Sequence, residues 1–477
     1  MSGERTARHR AEGRPRLGLQ LAAAGIAIAA LVSGVAFLPA VLGEEEQDPR
    51  LNVIVIVTDD QSADSIPRVP AVMPFLQQQV LDPEDHWVVF PNGYVNTPLC
   101  CPSRATMLSG RYPHHSGVQD NEDGILFDES ATLATWLDDA GYHTGLVGKY
   151  LNLYPFDRGP YVPQGWDRWW GKQQGTADSL YRNFTLIEQG QPVHYGSDEA
   201  DYSTDVFASK ALQFLREAPT DQPFFLWLAP TSPHPPWVSA ERHQGAYADL
   251  VVPTTPSVGE PDVSDKPAWV QGLPPVDAEG LAEFRASRRS SYETLLALDE
   301  AVRSIVEQLR SSGDLDETLI VYVSDNGFAF GEHRWNRKSC AYEACLRVPF
   351  LIRMPETQHR VDPSIVSAVD LAPTIAEIAG VEPTVAFDGV SLVPLLRSQD
   401  HTALQRALFA EWVGDDRVPG WWAVRTSRFA YMELATGERE LYALRRDPYE
   451  LVNVADDPAF ADDVQRLAAR LAAYRAA

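Results

Sequence analysis

"LNVIVIVTDD", residues 51–60, is an unbroken apolar, β-branched run that stops at two aspartates. A run of this kind reads as a strand buried on both faces, as strands of parallel sheets are. "HTGLVGK" (143–149), "FFLWLAP" (224–230), "TLIVYVS" (318–324) and "VPFLIR" (348–353) have the same character. Helical patterns fall between them: "ATLATWLDDAG" (131–141), the amphipathic "TDVFASKALQFLRE" (204–217), a long segment over 282–313, and "DLAPTIAEIAG" (370–380). Strands alternating with helices predict an α/β domain whose mostly parallel sheet is sandwiched by helices. From about residue 400 the pattern changes. "RALFAEWV", "GWWAVRTSRFAYMEL" and "RELYAL" read as short antiparallel strands and 458–477 as a closing helix, together a small C-terminal α+β subdomain.

The chain has 477 residues, enough for one large domain or a large and a small one. Its net charge of −26 argues against nucleic acid as a partner, but leaves an anionic substrate possible wherever a site is locally positive. Residues 1–16 form a basic segment with Arg5, Arg8, Arg10, Arg14 and Arg16, expected to stay in the cytoplasm. Residues 17–43 are almost wholly apolar, a signal anchor or a signal peptide. Either way the remainder is expected to be extracytoplasmic, anchored at the cell surface or secreted. The main α/β domain is then expected to span 44–398 and the C-terminal subdomain 399–477. In an oxidising compartment Cys340 and Cys345 can pair locally, whereas adjacent Cys100 and Cys101 cannot without strain.

Ligands of an open parallel sheet bind beyond the carboxyl ends of its strands. Residues 51–57 lead to Asp59 and Asp60, and 143–148 to Lys149. After 224–230 comes His234, and after 318–324 come Asp325, Asn326, His333 and Lys338. Asp59, Asp60, Asp325 and Asn326 make an oxygen-only set suited to a hard cation, Ca²⁺ before Mg²⁺ in an extracellular setting.

"CCPSR" (100–104), followed by Ser109-Gly110-Arg111, resembles the signature C-x-P-S-R-x-x-x-x-[ST]-G-[RK] of the formylglycine-dependent sulfatases. The resemblance extends over nearly all of 50–455, through "DNGFAFGEHRWNRKSCAYEACLRVPF" and "LYALRRDPYELVNVADDP". "CCPSR" and "GKYLN" look most like the N-acetylglucosamine-6-sulfatase branch. It implies the alkaline-phosphatase-like fold, a sulfate ester substrate, in all expectation on a carbohydrate, and a formylglycine-generating enzyme as maturation partner. Cys100 would become formylglycine (3-oxoalanine). Its hydrated form attacks sulfur through one hydroxyl and ejects sulfate through the other, an exit that a serine would lack. By resemblance, Asp59, Asp60, Asp325, Asn326 and the modified Cys100 ligate the cation. Arg104 holds the hydrated aldehyde, Lys149 and Lys338 bind sulfate oxygens, and His234 protonates the leaving alkoxide. Many members carry a histidine two residues after the Lys149 position; this chain has Leu151 there and Asn152 next, a residue expected to contact the sulfate or a substrate hydroxyl.

Two other readings use the same residues. One is a phosphonate or phosphodiester hydrolase with the same machinery. The other is a surface binding protein in which Cys100 stays a thiol. His114 and His115 read as structural, and His333 as either a site residue or a support for Lys338. Trp169-Trp170 and Trp421-Trp422 could stack on a sugar but read as core. Loops over 155–200 and 231–280 are the expected seat of substrate specificity.

Overall fold

The computed structural model describes residues 50–66, 72–252, 254–355, 357–398 and 406–476. The expectations for 1–16 and 17–43 fall outside these residues. Among the described residues no helix is long and apolar enough to cross a membrane.

The run at 51–57 does form a strand, β1 (Asn52–Thr58), and every residue in it is buried. Side chains alternate across a strand, and β1 shows the result. Val53, Val55 and Val57 enter one apolar core, Ile54 and Ile56 another on the opposite face. The second core is closed by the helices Ser203–Glu217 and Ala278–Ser312. The first is closed by the helices Cys100–Ser109 and Leu371–Ala379. The sheet is therefore sandwiched, as the apolar runs required.

The other strands are β2 (Trp87–Val89), β3 (Gly93–Tyr94), β4 (His143–Gly148), β5 (Arg168–Lys172), β6 (Phe184–Glu188), β7 (Gln191–Tyr195), β8 (Phe224–Ala229), β9 (Thr318–Ser324), β10 (Phe350–Arg353), β11 (Arg360–Val361) and β12 (Val366–Ser367). Nine of them join β1 in the main sheet, in the order β11-β2-β10-β9-β1-β8-β4-β5-β6-β7. β9, β1, β8, β4 and β5 run parallel. β10 is antiparallel to both of its neighbours, and β6 and β7 extend the far edge as antiparallel strands. The stretch 155–200, expected to be specificity loop, thus carries three strands of the sheet. Trp169 and Trp170 lie on β5 and are buried on opposite faces of it.

Four C-terminal strands, β13 (Leu408–Trp412), β14 (Trp421–Arg425), β15 (Ala430–Leu434) and β16 (Arg439–Tyr442), form a separate antiparallel sheet. The period of two again decides its packing. Leu408, Ala410 and Trp412 join the main core, while Phe409 packs with Leu467 and Leu471 of the closing helix Ala461–Ala476.

Candidate active site

The four strands β9, β1, β8 and β4 are neighbours in the sheet, so their carboxyl ends deliver side chains to one edge. Thr58 pairs with Ser324 and Gly148 with Ala229, which aligns those ends. Asp59 and Asp60 follow β1, Asp325 and Asn326 follow β9, Lys149 follows β4, and His234 lies in the turn after β8. Asp60 takes the left-handed backbone (φ 67°), a conformation that costs a non-glycine residue about 1 kcal/mol or more. The hydrogen bonds around it hold it there.

Cys100 opens the helix Cys100–Ser109, all of whose residues are buried. Gly110 caps that helix in the left-handed region (φ 68°), and a Cβ there would stand 2.4 Å from Phe387. Cys100 Sγ lies 3.4 Å from Asp59 Oδ1 and 2.8 Å from Lys338 Nζ. One turn further on, fully buried Arg104 donates from Nε to Asp325 Oδ2 at 2.8 Å and from Nη1 to the Lys149 carbonyl at 3.0 Å. Its Nη2 is 3.8 Å from Asp59 Oδ2. Lys149 Nζ donates to Asp59 Oδ2 at 2.6 Å, and Lys338 Nζ to Asp60 Oδ1 at 2.8 Å. Asn326 Nδ2 donates to Asp60 Oδ1 at 2.6 Å, the Asp60 amide donates to Asp325 Oδ1 at 3.2 Å, and His234 Nε2 lies 3.6 Å from Asp60 Oδ2. The nine residues expected as metal ligands or catalytic groups therefore belong to one connected set.

Burying an unpaired charge is prohibitive, and here the charges match. Asp59, Asp60 and Asp325 face Arg104, Lys149 and Lys338. Burial alone would raise the Asp59 carboxyl, yet Lys149, His234, Arg104 and Lys338 together hold it well below the usual carboxylate range. Burial, with Asp59 second, raises Asp325. Burial lowers Lys338, but Asp60 and Cys100 outweigh it and keep the ammonium charged. Burial, then Asp59, pushes the Cys100 thiol far up. A thiol in that state is a poor nucleophile, because the thiolate is the reactive form.

The oxygen donors fit a hard divalent cation. Asp60 Oδ2 and Asn326 Oδ1 are buried acceptors without a hydrogen-bonding partner, on residues bonded to each other. Ligand-capable atoms of Asp59, Asp60, Cys100 and His234 also lie within 4.8 Å of one another, so the histidine expected to act as an acid sits beside the carboxylates. With three carboxylates matched by three permanent cations, an added divalent ion leaves the site positive, as an anionic ester requires.

Lys338 is fixed through its backbone. Trp335 Nε1 donates to its carbonyl, and Trp421 Nε1 to the carbonyl of Ser339, each at 2.9 Å. The Ser339 amide donates to Pro98 O at 3.2 Å, and a Cys340–Cys345 disulfide follows. Trp421 is thus a core residue with a positioning bond. His333 is buried and bonded through Nδ1 to Glu260 Oε2 at 2.6 Å, outside the connected set. His114 and His115 bond Glu411 and Asp388 at 2.6 and 2.7 Å. Asn152 Oδ1 is buried without a partner.

A cleft of about 580 Å³ reaches Asp60, His234 and Lys338. Its walls include Trp237, Trp335 and Trp412, with Asp120, Asn121, Glu122, Asp415 and Arg417. Pro235 and Trp237 come from the expected loop 231–280; the lining has no residue from 155–200. No local sequence pattern marks the 120–122 turn or the β13–β14 turn, whose residues only tertiary folding brings to the cleft wall.

A model of the sulfatase family matches residues 51–381, and a model described as N-sulphoglucosamine sulphohydrolase, C-terminal, matches 331–477. An extracellular sulfatase SULF-1 homolog of Drosophila melanogaster is 34% identical over 368 residues, 74% of this chain but 32% of that protein. The chain therefore spans about a third of that relative. N-acetylglucosamine-6-sulfatase of Homo sapiens is 32% identical over 384 residues, covering 77% of this chain and 68% of that one. Among solved structures, a protein in complex with its substrate D-glucosamine-2-N,6-O-disulfate superposes with a TM-score of 0.77 at 24% identity, covering 89% of this chain and 97% of the other. Phosphonate monoester hydrolase of Agrobacterium radiobacter gives 0.73 at 23%, covering 90% and 96%. At those identities the likeness speaks for the fold.

Proposed function

The chain belongs to the sulfatase family of sulfuric ester hydrolases, and from that premise we propose that it is an exported enzyme cleaving a sulfate ester on a glucosamine-containing carbohydrate, with Cys100 matured to formylglycine and Ca²⁺ as its metal. The observation that carries the reading is the setting of Cys100. It heads a buried helix, 2.8 Å from the Lys338 ammonium and 3.4 Å from Asp59, beside the unpartnered oxygens of Asp60 and Asn326. A thiol so far from ionising has little chemistry of its own there.

Asp59, Asp60, Asp325 and Asn326 would hold the cation. When bound, the cation and the formylglycine supply Lewis acidity and an oxygen nucleophile at neutral pH. The chain's own residues do the rest. Lys149 and Lys338 bind the non-bridging sulfate oxygens and offset the charge that grows on them. Arg104, locked to Asp325 and to the Lys149 carbonyl, fixes the spacing between residue 100 and the carboxylates. His234, which lines the cleft beside Asp60, gives its Nε2 proton to the departing alkoxide. Asn152 contacts the sulfate or a sugar hydroxyl. The Cys340–Cys345 disulfide and the extracellular relatives support export.

Mass spectrometry of the 97–111 peptide tests the maturation. Conversion of –CH₂SH to –CHO at residue 100 is expected; an intact thiol in active protein would overturn it. Sulfate release from glucosamine 6-sulfate should vanish on chelation and return with Ca²⁺. A faster rate on an aryl phosphodiester than on an aryl sulfate would instead make the chain a phosphodiester hydrolase.

A further inference from the structure

Lys338 stands on neither a helix nor a strand. The stretch that carries it includes His333, Arg334 and Ser339 in left-handed backbone, at φ 51°, 64° and 74°. Residues other than glycine keep that conformation only where the surroundings fix the chain on both sides. Before Lys338, the Arg337 carbonyl accepts from the Ala329 amide at 2.9 Å. After it, Cys340 is cross-linked to Cys345, and the two are buried at 1% and 0% exposure.

Cys345 is itself anchored beside the reacting centre. Its carbonyl accepts from the Gly327 amide at 2.9 Å. The approach is so close that a Cβ on Gly327 would stand 2.3 Å from the Ala344 carbonyl oxygen. The next carbonyl, of Leu346, accepts from the Val95 amide at 2.9 Å. Gly327 follows Asn326, and Asn326 Nδ2 and Lys338 Nζ both donate to Asp60 Oδ1. The disulfide therefore closes a ring. It runs from Asp60 to Lys338, along the chain to Cys340, across to Cys345, over to Gly327 and Asn326, and back to Asp60.

A cross-link between residues 5 apart in sequence restrains the unfolded chain little, because the entropy it removes grows with the loop it closes. Where it is placed matters more than how much chain it closes. Without it, the residues after Ser339 lose their covalent tie to the segment that holds Asn326, and Lys338 sits on a four-carbon stem that follows its backbone.

We propose that the Cys340–Cys345 disulfide is a positioning pair for catalysis, holding Lys338 against Asp60 so that full turnover needs the oxidised pair. The proposal rests on the reading of Lys338 as a cation that offsets charge on the sulfate in the transition state.

A double-mutant cycle tests it, with Cys340→Ala/Cys345→Ala made in the wild type and in Lys338→Met, and glucosamine 6-sulfate as substrate. In the wild type the alanine pair should lower kcat about tenfold to a hundredfold, as misplacement of a catalytic group does, with KM within about threefold. In Lys338→Met the same pair should change kcat by no more than about twofold, because the cation it positions is already gone. Equal losses in both backgrounds would make the disulfide a general brace, and no loss in either would make it idle; each overturns the proposal. Where the alanine pair does not fold, Cys340→Ser/Cys345→Ser, closer in volume, takes its place. If neither pair folds, the disulfide is a folding requirement and the proposal falls. If the wild type releases no sulfate, the catalytic reading is the one that fails. A crystal structure of the variant then decides the clasp alone. Displacement of Lys338 Nζ from Asp60 by about 1 Å or more supports it, and an unchanged contact overturns it.

Discussion

Asp59 and Glu440 are both carboxylates removed from water, at 0% and 1% exposure, yet their protons are held in opposite ways. At the strand ends, Lys149, His234, Arg104 and Lys338 overcome burial and keep Asp59 ionised. Where the C-terminal sheet meets the main body, burial is the largest influence on Glu440 and pushes it up to about 7, despite hydrogen bonds from Tyr442 and Tyr342. Burial, with Glu343 second, pushes Glu450 up to about 8. Depth alone does not make an ionised carboxylate. Cations placed against it do, and they come from separate segments that only the sheet edge gathers.

The sharpest way to break this contrast is Cys100→Ser, expressed where only cysteine is matured. Turnover should fall by about a thousandfold or more, with the circular dichroism spectrum unchanged. An active serine variant would remove residue 100 from the chemistry. Next is Lys338→Met, which takes one cation from the active-site carboxylates and makes them resemble the seam. The expected loss in kcat is about a hundredfold to a thousandfold, as for removal of one oxyanion donor. A change confined to KM would show that Lys338 binds sulfate equally in ground and transition states.

A smaller effect should appear at the seam. The folded protein holds the Glu440 proton to about pH 7, against an ordinary value of 4.5, so it binds a proton that the unfolded chain has released. The stability owed to protonated Glu440 is complete below the unfolded value. It is lost as pH climbs to about 7, and amounts to about 3 kcal/mol. Glu440→Gln keeps an acceptor for Tyr342 and cannot ionise. Its melting temperature should therefore drop less than the wild type's between about pH 5 and about pH 8, by several degrees. Parallel curves would show that Glu440 does not titrate there. The smallest effect is expected from Cys101→Ala. Cys101 is a buried thiol pushed up to about 12, mainly by burial, and its amide, which the substitution retains, is bonded to Asn121 Oδ1 at 3.0 Å. Activity should stay within about threefold, with a stability loss of about 1–2 kcal/mol.

The same contrast explains what the sequence disclosed. β1, β8 and β9 have long apolar centres, β4 a shorter one, and each is followed closely by a polar residue, so both the sheet and its chemical edge could be read from local pattern. The extension β5–β7 could not. "QPVHY" is half polar and largely exposed on an edge strand, and its partners are fixed by pairing rather than by hydrophobicity. Nor could the cleft wall. Trp412 and Asp415 stand in segments with no motif, and the positioning bond from Trp421 to Ser339 spans 82 residues of sequence. Residues 1–43, the expected export segment, lie outside the described structure.

The β13–β14 turn, bent through Gly414 (φ 99°), hangs from a sheet that shares no strand with the one carrying the carboxylates. A lineage of such proteins can lengthen, shorten or recharge that finger without disturbing the reacting centre. Selection is thereby free to explore new polymers while the chemistry is kept, and an engineer who transplants residues 413–420 between relatives would be following the same route.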